Sequence, residues 1–130
     1  MIREFEIPWP PSVNHYYRHV GPKVLISREG RQYRENVVAM FRNSNEPPFA
    51  GPIKLYAEFY PPDNRRRDLD NLLKCVQDTL QHAGLFTDDS QIAEIHIIKQ
   101  KPMPPKGMAY SRIQDHEQQT EQLHPLPDCP

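Results

Sequence analysis

Two cysteines in 130 residues leave little for thiol chemistry: Cys75 sits inside a helical pattern, Cys129 is next to last, and no CxxC pair exists. This excludes a disulfide framework, and both are read as reduced thiols. Long apolar runs are also missing. Nothing approaches the roughly 20 apolar residues of a membrane span, and the opening MIREFEIPW lacks an apolar stretch for a signal peptide. The expectation is a cytoplasmic protein with no membrane partner. The five glycines form no phosphate cradle, and a nucleotide-binding unit has no room. Six histidines occur without an HExxH or a Cys/His arrangement, which argues against zinc. Charge of one sign is scarce as well. The formal net charge is −1, far from the strongly basic balance of a generic nucleic-acid binder.

That near-neutral sum is unevenly spread. Of 16 basic and 17 acidic residues, positions 111–130 hold one and four, leaving 15 against 13 in residues 1–110. Proline, by contrast, is abundant: 13 of the 15 prolines cluster at Pro8 to Pro11, Pro47-Pro48, Pro61-Pro62, Pro102 to Pro105 and beyond His124. They punctuate elements and leave the intervening runs free to fold.

Between them the periodicities are legible. Arg3 to Pro8 alternates Phe5 and Ile7 with Glu4 and Glu6, and Ile53 to Tyr60 alternates over its whole length, so both read as half-buried strands. Val24 to Ile26 reads as a short strand, and Ser27 as the N-cap of a helix reaching about Arg42, with Gly30 an oddity in its first turn. Leu69, Leu72, Leu73, Val76, Leu80 and Ala83 recur at helical spacing, with Gly84 as the stop. Ala93 to Lys99 and Met108 to Ile113 complete the set as strands. The order ββαβαββ predicts a mixed α/β (α+β) domain over residues 1–113, a small mixed sheet covered by two helices. Residues 114–130 are polar, acidic and proline-bearing, and are expected to be a mobile tail.

The chemistry concentrates in RRRDLDNLLK, Arg65 to Lys74. Asp68 and Asp70 cannot share a helical face, since two residues turn about 200°; they converge only if Asp68 precedes the helix and Asp70 lies in its first turn. Asp70, Lys74 and Asp78 then form a stripe beside the leucine face. LFTDDSQI returns a second acidic pair, Asp88 and Asp89, after the helix stop. Three converging carboxylates suit a hard cation such as Mg²⁺. Arg65, Arg66 and Arg67 supply charge for a phosphate backbone. The plainer alternative is a capping Asp68, surface pairs around Lys74 and an exposed arginine turn. An EF-hand fails, because leucine occupies both the fifth position of DLDNLLKC and the sharp-turn glycine position. Tyr16, Tyr17, Arg18 and His19 form an aromatic-basic segment suited either to stacking on bases or to packing.

RRRDLDNLLK and LFTDDSQI, together with the opening PWPPSVNHYYRH, resemble the RusA family of Holliday junction endodeoxyribonucleases, from about Phe5 to Lys99. The resemblance implies that Asp68, Asp70 and Asp89 are metal ligands and that Lys74 is the catalytic lysine. It further implies a homodimer that uses Mg²⁺ to nick two strands of a four-way junction in recombination and repair. Two other readings remain: a non-catalytic junction-binding protein, and a nuclease for other branched DNA. The acidic tail departs from the family pattern.

Overall fold

A computed structural model describes residues 1–116, so the expected tail, apart from its first three residues, lies outside the described residues. The elements in chain order are β1 (Ile2–Pro8), α1 (Val13–Tyr16), β2 (Tyr17–Val20), β3 (Lys23–Ile26), α2 (Arg28–Met40), β4 (Ile53–Tyr60), α3 (Leu69–His82), a 3-10 turn (Asp89–Gln91), β5 (Ile92–Lys99) and β6 (Met108–Asp115). Four strands form one sheet in the order β1-β6-β4-β5, and β2 pairs with β3 as a separate ribbon. β6 runs antiparallel to both β1 and β4, whereas β4 and β5 are parallel, joined through α3. The mixed α+β architecture expected from the pattern is the one observed.

Alternation in β4 decides the sheet's orientation. Ile53, Leu55, Ala57 and Phe59 are fully buried, while Lys54, Tyr56, Glu58 and Tyr60 between them are half-buried. Val37 of α2 and Leu72, Val76 and Leu80 of α3 join that core. Each fully buried aliphatic side chain contributes about 1.5–3 kcal/mol. Cys75 faces the same core, where burial pushes its thiol up to about 12, consistent with an inert sulfur. Among the described residues, no helix is long and apolar enough to cross a membrane.

Several boundaries moved. The Tyr16 to His19 segment is not a loop: α1 closes one helical turn and Tyr17 opens β2. β6 runs two residues past Ile113. β5 is an edge strand, so its apolar run does not imply full burial, and Ile95 stands exposed. Ser27 caps α2 as expected, its Oγ accepting from the Gly30 N–H at 2.9 Å. Gly30 has a reason in packing: a Cβ there would overlap the Tyr16 carbonyl oxygen. Gly84, at φ +84°, takes the left-handed conformation that ends α3.

Candidate functional site

α3 starts just past the C-terminal end of β4, the end of an open α/β sheet where ligands characteristically bind. Asp68 is its N-cap, with extended backbone at φ −96° and ψ 130°, and Asp70 lies in the first turn. This is the placement the spacing required. The Asp68 side chain makes no capping hydrogen bond. Among the described residues, neither Asp68 nor Asp70 nor Lys74 enters an ion pair, so the plain reading of a cap and two surface pairs does not describe this helix end. Asp70 and Lys74 are exposed on one face, one turn apart.

Asp78, the third member of the sequence stripe, is used otherwise. The Tyr16 hydroxyl donates to its carboxylate, and Arg34 Nη2 lies 2.7 Å from the same oxygen. Arg34 Nε also donates to the Tyr16 oxygen at 3.2 Å. This node ties α1, α2 and α3 together. Tyr16 is completely buried, so it has no surface to offer a base; its assignment to DNA contact is corrected to a core role. Burial, and then the Asp78 hydrogen bond, hold its hydroxyl far above the usual range. Tyr17 is partly buried edge-on to Tyr16, and Arg18 and His19 are exposed along β2.

The arginines divide. Arg66 is exposed and has no ion-pair partner among the described residues. Arg65 reaches Asp63 only loosely, at 3.7 Å. Arg67 is engaged within the protein: it pairs with Asp63 at 2.8 Å, donates to the carbonyls of Asp63 and Arg65, and lies over the Trp9 ring at 5.5 Å. The Arg67 hydrogen bond holds the Asp63 carboxyl below its usual value.

The second acidic pair is set by Gln91. Its Oε1 accepts from the Thr87 N–H at 2.8 Å and the Asp88 N–H at 3.0 Å, while its Nε2 donates to the carbonyls of Phe49 and Gly51. Asp88 accepts from the Ser90 hydroxyl, and Asp89 makes no such bond. Partial burial, then the charges of Asp78 and Asp88, raise the Asp89 carboxyl. The turn therefore brings Asp89 back toward α3, on the side where Asp78 and Tyr17 lie. Oxygen donors of this kind suit a hard divalent cation. Among the described residues, no three such side chains stand close enough together to form a metal-holding group. Like charges without a cation between them repel, which favours this open arrangement.

Sequence reasoning missed Arg34, Asp63 and Gln91. Arg34 acts through a contact only the fold creates, whereas Asp63, four residues before Arg67, and Gln91, three residues after Asp88 in a capping box, had local signals.

The model of the family described as Endodeoxyribonuclease RusA matches residues 8–120, which covers every residue of this region. The chain belongs to the RusA family. It is 45% identical over 94 residues to the crossover junction endodeoxyribonuclease RusA of Shigella sonnei, and 44% identical to that of Escherichia coli K12. Enterobacteria phage 82 carries a relative of the same description at 45%. In each case the match spans 72% of this chain and 78% of the relative. The matched region contains the arginine turn and the acidic pair at the start of α3, and the second acidic pair in the turn that follows its end.

Proposed function

We propose that this RusA-family chain is a Mg²⁺-dependent endodeoxyribonuclease that resolves four-way DNA junctions by paired symmetric nicks, as a homodimer, in recombination and repair. The observation that carries the reading is the start of α3. Asp68, Asp70, Lys74 and the neighbouring Arg66 have no ion-pair partner among the described residues, and they lie inside a region matched by an endodeoxyribonuclease family.

Arg65 and Arg66 engage backbone phosphates, and Arg18 with Tyr17 extends that contact along β2. The role assigned to Arg67 is to hold the turn that presents them. Lys74 projects its ammonium from the exposed face of α3, where it stabilises negative charge building on the scissile phosphate. Asp68 and Asp70, with Asp89 completing the set, are the residues that would hold Mg²⁺. The cation supplies polarisation of a phosphoryl oxygen and activation of water. Gln91 keeps Asp89 on a fixed turn.

The test is to incubate the pure protein with a fixed four-way junction, a duplex and a flap, each in Mg²⁺ and in EDTA. Symmetric nicks in the junction that need Mg²⁺ are expected. Junction binding without nicks would establish a non-catalytic binder, and preferential cutting of the flap a nuclease for other branched DNA.

A further inference from the structure

A groove of about 590 Å³ opens beside Asp68, between the strap carrying Trp9 and Pro11 and the first turn of α3. Its size lies within the range of small-molecule sites, too narrow for a duplex and wide enough for one nucleoside. Trp9 is half-buried and held in a set orientation, edge-on to Phe59 at 6.0 Å with the Arg67 guanidinium over its ring. That provides a rigid stacking surface. Across from it, Asn71 is half-buried and its amide has no hydrogen bond among the described residues, leaving donors and acceptor free for a base edge. His15 adds a second polar group, one ring nitrogen engaged by Ser12 at 2.9 Å.

Charge orients the occupant. Asp68 and Glu29 line the groove together with Arg65, Arg66 and Arg67, and with Arg67 held by Asp63 a phosphate is drawn to the exposed Arg65 and Arg66 and away from the two carboxylates. A neutral base inside with its phosphate outside satisfies both. Branched DNA presents the least costly nucleotides to unstack, those at the branch point.

We infer that this groove receives one unstacked nucleotide of the branch point, its base between Trp9 and Asn71 and its phosphate on Arg66. The inference rests on the junction reading above and adds to it a base-binding site distinct from the phosphate contacts.

Trp9 is the only tryptophan in the sequence, so its emission reports on its own surroundings, this groove among them. The full-length protein in EDTA is titrated with a dye-labelled four-way junction and with its matching duplex, following DNA anisotropy and tryptophan emission together. The junction is expected to bind more tightly than the duplex and to quench Trp9, and abasic sites at the branch point are expected to abolish the quenching. Asn71→Ala should weaken binding of the intact junction about tenfold and leave binding of the abasic junction unchanged. Selective junction binding with unchanged emission, or quenching that survives base removal, overturns the groove and leaves the junction reading standing. Equal binding of junction and duplex overturns the junction reading itself, and the groove with it.

Discussion

Asp70 and Lys74 face outward one turn apart, and no side chain among the described residues engages them. Side chains so placed can change without cost to packing, which makes their substitution informative about chemistry. Asp70→Asn keeps the shape and removes a charge; we expect junction cleavage in Mg²⁺ to fall by about 10² or more, with junction binding in EDTA unchanged or slightly stronger. Near wild-type cleavage would remove Asp70 from the site. Lys74→Ala should lower turnover far more than affinity, and a parallel loss of both would make it a binding residue. At this scale the sequence was readable where a local period governs. The positions of Asp68 and Asp70 at the helix start followed from 3.6 residues per turn. The fate of Asp78 did not, because its partners Tyr16 and Arg34 lie 62 and 44 residues away and only the folded chain brings them near.

Those partners matter for the elements. Arg34 and Asp78 are both mostly shielded and connect α2 to α3, while Tyr16 adds α1 and the start of the ribbon. Arg34→Ala leaves the Asp78 charge in a poor solvent and should cost about 2 kcal/mol of stability, read as a lowered midpoint in urea unfolding. If the midpoint stays put, the node is ornamental. β4 and α3 were legible because an alternating strand and a leucine stripe are dictated by burial on one side. α1 and the β2–β3 ribbon were not, since a single helical turn and a two-stranded ribbon have no stability of their own and are fixed by what they pack against. The close approach of α2 to Tyr16, which makes Gly30 necessary, belongs to the same class of tertiary effect.

At the scale of the whole molecule, charge and assembly set the expectations. Deleting residues 117–130 removes Glu117, Glu121 and Asp128 and no Lys or Arg, taking the formal charge from −1 to +2. Association with DNA should strengthen, most visibly at low salt; unchanged affinity would make the tail's charge irrelevant. Sedimentation at micromolar concentration should give about twice the 15.3 kDa chain mass, and a chain that cuts junctions while monomeric would contradict paired incision by a dimer. Acid should loosen the end of the sheet. Hydrogen bonding from Lys54, with His116 beside it, holds the Glu94 carboxyl below its usual 4.5. A depressed carboxyl contributes stability that is complete above the usual value and lost as pH falls through the folded one. Lys54→Ala should move the Glu94 midpoint back up toward 4.5 in a carbon NMR titration, and an unmoved midpoint would dismiss the pair.

β6 lies between β1 and β4 and, among the described residues, is the strand that pairs with β1. β1, synthesised about a hundred residues before β6, therefore waits for it before it gains a ladder, with Ile7 and Phe5 unsheltered in the meantime. β4, α3 and β5 are contiguous and free to associate earlier. A nascent chain halted before Met108 is accordingly a half-built sheet with its amino-terminal segment open to proteases and chaperones. Stalled chains of increasing length should acquire protease resistance in that segment abruptly, once Asp115 has cleared the exit tunnel, and a gradual gain from shorter chains would show that β1 finds shelter by another route.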